Sequence, residues 1–344
     1  MITQNDLEQL DTKKVHKIYD MWPKISRDSY FSNIPKINLK KCSHIIFAGM
    51  GGSGTIGDIF FSILSKTDTH VTVVKGYNLP RTVNTESLVV ITSVSGNTIE
   101  TISLLENAEK IGAKIIAFSD GGKIKDICLK NNIEHRNIKK YHSPRASFTS
   151  FLYSMLQVLK PILPINESDV LESLEKLEII SKKCNSNNIS MTNPSIQISE
   201  WLDNFPIIYF PFGLQSVAIR FKNAIQENAK THVLIEDVIE SSHNGIVGWN
   251  KKSKFQPILL QGKDDVETTK ERWTILKEFF KLKNIDYKEI ISEEGNILTK
   301  IICLIYVLDY SSIFLAIKLK VDPSPVMAID FIKKRLNQNP KIIE

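Results

Sequence analysis

Two stretches rich in glycine and serine decide the fold of this chain: Gly49-Met50-Gly51-Gly52-Ser53-Gly54 and Ser93-Val94-Ser95-Gly96-Asn97-Thr98-Ile99-Glu100-Thr101. Each follows a short apolar run, HIIFA at residues 44–48 and LVVIT at residues 88–92. Such runs are typical of strands that are buried on both faces of a parallel sheet. Apolar residues at spacings of three and four come after each stretch and indicate a helix. The sequence therefore predicts a strand, a loop and a helix, twice.

The two loops together predict a binding site for a phosphate group. A turn between a buried strand and a helix directs free backbone N–H groups and the positive end of the helix dipole toward one point. Glycines let the chain approach the anion closely, and Ser53, Ser93, Ser95 and Thr98 add hydroxyl donors. Such a pocket could hold a phosphate without a cluster of lysines or a metal.

The first loop also matches the dinucleotide fingerprint, as Gly49-x-Gly51-x-x-Gly54. Alone, it favours neither a dinucleotide nor a monophosphate. A dinucleotide fold places an acidic residue at the end of its second strand, whereas residues 71–74 are followed by Lys75. The serine- and threonine-rich second loop would have no function in a dinucleotide site, so the two loops together favour a monophosphate. Each loop taken alone could also be a simple tight turn, and no GxxxxGK[ST] motif of a P-loop occurs.

Length and composition narrow the class of protein. The 344 residues suffice for two domains of ordinary size. The net charge of +6 suits an anionic small molecule, and the dense basic stripe of a nucleic-acid binder does not occur. The four cysteines form no Cys-x-x-Cys, which indicates neither a disulfide framework nor a zinc site. With no signal-peptide pattern in the first eleven residues, we expect a cytoplasmic protein.

The apolar run at residues 301–319 raises the question of a membrane span. Asp309, Ser311, Ser312 and Lys318 interrupt it. We therefore predict a buried helix of a large α/β domain and no association with a membrane.

The order of predicted elements indicates an α/β fold built on doubly wound parallel sheets. A helical lead-in occupies the first 35 residues or so and is expected to end at Pro23. We place a first domain at residues 1–160 and a second at 161–344, with a linker region from about residue 159. The predicted strands are 44–48, 70–74, 88–92 and 114–118 in the first domain, and 206–210 and 257–261 in the second. The predicted helices of the second domain are 216–229 and 268–280.

The two halves show a faint internal repeat. The segment HIIFAGMGGSG, which starts at residue 44, aligns with PIIYFPFGLQS, which starts at residue 206. The second copy lacks the glycine-rich loop. This suggests a duplication in which only the first half kept the phosphate site.

Four more motifs lie further along the chain: Ser143-Pro144-Arg145-Ala146, Glu227-Asn228, His243-Asn244 before GIVGW (245–249), and DPSPV (322–326) with a lysine downstream. Together with the two loops, and in the same order, they resemble the bifunctional phosphoglucose/phosphomannose isomerases of the sugar isomerase (SIS) superfamily. The resemblance covers nearly the whole chain. It implies two SIS-type domains in tandem, each an αβα sandwich, with no metal and no cofactor.

The resemblance also implies roles for individual residues. The phosphate-binding residues would be Gly52, Ser53, Ser93, Ser95 and Thr98. The catalytic residues would be Glu227 as the base, His243 and Lys333 in opening the sugar ring, and Arg145 near the reacting carbons. The adjacent Lys334 leaves the match at Lys333 open by one residue. The protein is expected to be a homodimer with a shared active site, to which the partner subunit contributes His243.

The implied reaction interconverts glucose 6-phosphate and mannose 6-phosphate with fructose 6-phosphate through a cis-enediol. One departure is visible, because many family members have His-Asn-Glu where this chain has His243-Asn244-Gly245. Any supporting role of that acid is therefore absent here. Two alternatives are a non-catalytic SIS module that senses a sugar phosphate, and the isomerase half of an amidotransferase that makes glucosamine 6-phosphate. The sensing module would not need Glu227, His243 or Lys333, and the amidotransferase would need a glutaminase domain.

Overall fold

Two parallel β-sheets organise residues 2–338, the part of the chain that the computed structural model describes. The strands of the first sheet are β1 (His44–Ala48), β2 (His70–Val74), β3 (Leu88–Thr92), β4 (Lys114–Ser119) and β5 (Glu134–Asn137). Those of the second are β6 (Phe205–Phe210), β7 (Leu234–Asp237), β8 (Phe255–Gln261) and β9 (Lys288–Ile291).

Helices surround both sheets. Those of the first half are α1 (Gln4–Leu10), α2 (Val15–Asp20), α3 (Trp22–Tyr30), α4 (Gly51–Leu64), α5 (Ile99–Ile111), α6 (Gly122–Lys130) and α7 (Phe148–Val158). Those of the second half are α8 (Glu167–Cys184), α9 (Pro194–Trp201), α10 (Gln215–Asn228), α11 (Val238–Ser241), α12 (Glu267–Leu282), α13 (Ile297–Lys318) and α14 (Met327–Gln338). A 3₁₀ helix spans Gly245–Asn250.

The strand order confirms the predicted α/β class. It is β2-β1-β3-β4-β5 in the first sheet and β7-β6-β8-β9 in the second, and all neighbouring strands are parallel. The second order repeats the first four positions of the first, and α10 follows β6 as α4 follows β1. α4 and α10 pack against each other, with a hydrogen bond of 3.0 Å between the hydroxyls of Ser62 and Ser216. This arrangement supports the internal duplication, while the domain boundary at residue 160 remains a prediction.

Burial explains why the central strands form where they do. All five residues of β3 are buried, as are four of the five in β1. α13 is long and apolar enough to span a membrane by length and composition, but its most apolar window is entirely buried inside the protein. It packs against α8, α9 and α10. The predicted buried helix is therefore present, and one hydrophobic core extends from the first sheet across α13 to the second.

The lead-in differs from the prediction. Pro23 does not end a helix but lies in the first turn of α3, where a residue without an N–H costs no hydrogen bond. Trp22 at the start of that helix is fully buried, and its indole N–H donates to the Ala146 carbonyl at 2.8 Å. Its ring also contacts that of Tyr306 on α13. The lead-in is therefore packed into the core that joins both halves.

Candidate active site

The two glycine- and serine-rich loops lie side by side. β1 and β3 are neighbours at the centre of the first sheet, and the strand order reverses between them. Loops that leave the carboxyl ends of two such strands form the crevice in which open α/β sheets bind ligands. We call these two segments, residues 49–54 and 93–98, the cradle.

Short contacts hold the two loops together. A side-chain carbon added at Gly49 would lie 2.8 Å from the Thr92 carbonyl oxygen, so only glycine allows this approach. The backbone N–H of Val94 donates to the Ser53 hydroxyl at 3.4 Å. The Ser93 and Thr98 hydroxyls are 3.0 Å apart. The hydroxyl of Ser53 thus contacts the backbone of the second loop, and the hydroxyls of Ser93 and Thr98 contact each other within that loop.

The cradle also contains two helix N-termini. α4 begins at Gly51, and neither its N-cap Met50 nor Thr98, the N-cap of α5, donates or accepts a side-chain capping hydrogen bond. The first N–H groups of both helices thus lack a side-chain cap and are suited to an anion. Ser95 is exposed at the rim, where its hydroxyl accepts from the Asn97 N–H at 3.3 Å.

Arg145 lies beside the cradle. A side-chain carbon added at Gly52 would be 3.7 Å from the Arg145 Cα. The Arg145 side chain is 4% exposed, and its Nη1 donates to the Glu227 Oε2 at 3.3 Å. Glu227 is at the last turn of α10 and remains 24% exposed, so its carboxylate is accessible to a small molecule. The predicted arginine and base are therefore brought together, next to a glycine of the cradle.

Three further acceptors fix the Arg145 guanidinium. Its Nε donates to the Asn228 Oδ1 at 2.9 Å. Its Nη2 donates to the carbonyls of Pro323 and Ser324, at 2.8 and 2.9 Å. A planar guanidinium with donors in a fixed fork is well matched to several acceptors at once. Its orientation is consequently set by α10 and by the segment 322–325 near the end of the chain.

Comparison with known proteins gives the family. Residues 38–157 match the SIS domain family, and residues 191–336 match the bacterial phospho-glucose isomerase C-terminal SIS domain family. A bifunctional phosphoglucose/phosphomannose isomerase of Caldicellulosiruptor bescii is 30% identical over 94% of this chain and 96% of its own length. This chain belongs to the bifunctional phosphoglucose/phosphomannose isomerase family. A second such isomerase, of Aquifex aeolicus, is 29% identical over 86% of this chain and 91% of its own.

Solved structures confirm the fold of this isomerase. A hypothetical protein of Thermus thermophilus matches with a TM-score of 0.75 at 11% identity, over 98% of this chain and 94% of its own. A tagatose-6-phosphate ketose/aldose isomerase of Escherichia coli matches with a TM-score of 0.66 at 14% identity, over 94% of each chain. The tandem SIS arrangement expected from the resemblance is thus confirmed.

The sequence motifs did not identify the residues that hold the backbone of Arg145 in place. The Arg220 guanidinium donates to the Arg145 carbonyl at 2.8 Å and forms a fully buried ion pair with Asp309 on α13. Burial raises the pKa of Asp309, and the attraction of Arg220 opposes that rise. Asn228 is held in turn by the Ser312 hydroxyl, to which its Nδ2 donates at 2.8 Å. The sequence did contain a signal for this pair. Asp309 lies inside an apolar helix, and a buried aspartate needs a cation as its partner.

Lys230 is a second residue that the motifs did not single out. Burial, and then the charge of Arg145, lower the pKa of its ammonium to about 8. Its Nζ donates to the carbonyls of Glu227, Asn228 and Pro323, at 2.6, 3.2 and 3.3 Å. These bonds use the three N–H donors of an ammonium group. Lys230 therefore caps the end of α10 rather than serving as a free acid or nucleophile.

Two predicted residues, His243 and Lys333, form no hydrogen bond or ion pair with this site among residues 2–336. His243, which follows α11, is exposed, and its ring forms no hydrogen bond with any residue in the range 2–336. Lys333 is exposed on α14. The glycine that follows Asn244, where many family members have glutamate, also has a structural explanation. A side-chain carbon at Gly245 would collide with the Glu236 Oε2. Glycine at this position leaves room for the Glu236 carboxylate.

Proposed function

We propose that this chain interconverts glucose 6-phosphate and mannose 6-phosphate with fructose 6-phosphate. The observation that supports it most directly is the Arg145 guanidinium, which contacts the Glu227 carboxylate beside the phosphate cradle. This pairs a carboxylate base with a fixed positive charge at one end of an anion site. The arrangement is the one that proton transfer next to a sugar carbonyl requires.

The reaction follows from these positions. The cradle binds the phosphate through N–H and hydroxyl donors, and thereby places the first carbons of the open sugar near Glu227. Glu227 removes the proton from C2 of the aldose while the carbonyl oxygen O1 gains a proton, and it returns the proton to C1 of the resulting cis-enediol while the O2 hydroxyl loses its proton. Arg145 stabilises the negative charge that develops on the enediolate oxygens. Glucose and mannose differ only at C2, so one enediol serves both sugars.

Ring opening requires further groups, which we assign to His243 and Lys333. A histidine titrates in the range suited to moving the ring proton. Since the His243 ring forms no hydrogen bond or ion pair with Glu227 in its own chain, we propose a homodimer in which the partner subunit supplies it. α14 supports this, because Met327, Phe331 and Ile332 are 78%, 61% and 58% exposed and form an apolar surface.

We place the enzyme in the cytoplasm. Cys42, Cys128, Cys184 and Cys303 are all buried and unpaired. Free thiols of this kind are compatible with a reducing compartment.

The reaction is tested by incubating the purified protein with fructose 6-phosphate in a chelator and following the products by NMR. We expect both glucose 6-phosphate and mannose 6-phosphate. If neither forms while fructose 6-phosphate still binds, the sensing module is the better description. If only one forms, the enzyme is not bifunctional.

The base is tested with Glu227→Gln, which keeps the shape of the side chain and removes its basicity. We expect substrate binding to persist while turnover falls by roughly 10³-fold or more. Glu106→Gln, at an exposed position of α5, serves as the matched control and should keep wild-type turnover. Full turnover in Glu227→Gln would assign the base to another residue.

The shared site is tested by mixing two inactive variants, His243→Ala and Glu227→Gln. If the partner supplies the histidine, a mixed dimer regains one intact site, and random exchange of subunits restores about a quarter of wild-type turnover. If each chain uses its own histidine, no mixed dimer contains an intact site. Absence of recovery after confirmed subunit exchange would therefore contradict the shared site.

A further inference from the structure

The segment 322–325 binds the guanidinium of Arg145 through its backbone. Its two carbonyls, of Pro323 and Ser324, accept from the Arg145 Nη2 at 2.8 and 2.9 Å. Pro323 and Ser324 are both buried. Any shift of this segment therefore moves the acceptors that orient Arg145 toward Glu227.

Side chains from the start of the chain hold this segment in place. The Ser324 hydroxyl donates to the Asp11 Oδ1 at 2.9 Å. The neighbouring Thr12 hydroxyl donates to the Asp322 Oδ2 at 2.6 Å. These two bonds join residues that are 313 and 310 positions apart in the chain. They link the turn after α1 to the segment whose carbonyls bind the Arg145 guanidinium.

Asp11 is itself rigidly fixed. Its other oxygen, Oδ2, accepts from the backbone N–H of His16 at 2.9 Å and contacts the His16 Nδ1 at 2.6 Å. Asp11 and His16 are fully buried. Burial alone would raise the pKa of Asp11, but the hydrogen bonds from His16, Val15 and Ser324 outweigh it and leave the pKa below its usual value. Asp11 is thus a charged acceptor with both oxygens in use.

We propose that Asp11 is a positioning residue for catalysis, which holds Arg145 in its working orientation through Ser324. The inference rests on the proposed function, in which Arg145 stabilises the enediolate. It gives a role to a part of the chain that lies outside both matched family domains, which begin at residues 38 and 191. It also connects the N-terminal lead-in to the active site, through the path Asp11, Ser324, Arg145.

The test uses Ser324→Ala, which deletes the hydroxyl and keeps the backbone carbonyl that binds Arg145. We expect kcat to fall roughly 10- to 100-fold with KM changed less than about threefold, because a slightly misplaced catalytic group costs rate more than substrate binding. Ser26→Ala is the matched control, since Ser26 is a buried serine of the lead-in whose hydroxyl donates to the Trp22 carbonyl at 2.7 Å and contacts neither Asp11 nor Arg145 through a hydrogen bond. It should leave kcat and KM unchanged.

A second set of variants separates positioning from a general loss of structure. If Asp11 and Ser324 act through Arg145, Ser324→Ala has little further effect on kcat once Arg145→Lys is present. Asp11→Ala, which removes both acceptor oxygens, is measured in parallel, with folding checked by circular dichroism, and should lower kcat at least as much as Ser324→Ala. The proposal is overturned if Ser324→Ala behaves like Ser26→Ala, or if it lowers kcat by the same factor with and without Arg145→Lys. A wild-type protein without turnover would instead contradict the proposed function itself.

Discussion

The ion pair between Arg220 and Asp309 offers the sharpest test of how the site is supported. The Arg220 Nε donates to both carboxylate oxygens of Asp309, at 3.2 and 3.0 Å, and its Nη2 donates to Oδ2 at 2.5 Å. The two side chains are 3% and 0% exposed. Asp309→Asn preserves the size of the side chain and removes its charge. The substitution therefore leaves the Arg220 cation buried without a counter-charge.

The expected cost follows from that burial. Removing one partner of a buried ion pair destabilises a protein by about 3–5 kcal/mol, because the remaining charge cannot return to water. The exposed pair Lys24–Asp28 provides a matched control, with side chains that are 71% and 59% exposed. Asp28→Asn should cost no more than about 0.5 kcal/mol. The two asparagine variants should thus differ by at least about 2.5 kcal/mol in the free energy of unfolding.

The same substitution should lower turnover. Arg220 also donates to the Arg145 carbonyl at 2.8 Å, so a displaced Arg220 moves the backbone that carries the catalytic guanidinium. We expect a decrease in kcat of roughly 10-fold or more. The assay combines guanidinium chloride unfolding, followed by circular dichroism, with turnover of fructose 6-phosphate. Unfolding curves that place Asp309→Asn within about 1 kcal/mol of Asp28→Asn would refute the reasoning.

A double variant separates stability from function. Arg220→Met with Asp309→Leu replaces the pair by apolar side chains of similar volume, a change that is often neutral or stabilising. We expect it to recover most of the lost stability. Turnover should stay low, since methionine cannot donate to the Arg145 carbonyl.

Two glycine positions give further predictions. Gly96 has φ of +66°, and a side chain there would collide with the Gly121 carbonyl. Gly96→Ala should therefore deform the cradle and raise KM for fructose 6-phosphate at least about tenfold. An unchanged KM would contradict the assignment of the cradle as the phosphate site. Gly245→Ala should destabilise the protein by no more than about 1 kcal/mol, as measured by denaturant unfolding, because the atoms that the new methyl group meets are the end of the flexible Glu236 side chain, which can turn away. Adding Glu236→Ala should remove most of that cost, and a cost that persists would point to another cause.

The central strands could be predicted because strands buried on both faces consist of apolar runs, which are recognisable in the sequence. The central strands β1 and β3 have the predicted bounds, and β4 extends one residue further than predicted. The edge strand β2 was also predicted correctly, because it is rich in valine. The three strands that the sequence did not reveal, β5, β7 and β9, are all at sheet edges. β5 consists of Glu134-His135-Arg136-Asn137 and contains no apolar residue. An edge strand is covered less completely, so its residues need not be apolar and carry little periodicity.

The lead-in shows why local signals are ambiguous. Proline breaks a helix interior but is favoured in a first turn, and the sequence around Pro23 does not say which applies. The structure decides it by burying Trp22 against Ala146 and Tyr306. These contacts join residues far apart in the chain.

What the amino-acid sequence specifies directly is the pair of loops, the class of fold and the family, since each depends on residues that are close together in the chain. The network around Arg145 depended on folding. Its acceptors come from α10 and from the segment 322–325, and its support comes from α13 and from Asp11 near the start of the chain. Hydrogen bonds and ion pairs act over only a few ångströms. Only the packing of the two halves around the buried helix α13 could bring these groups within that range.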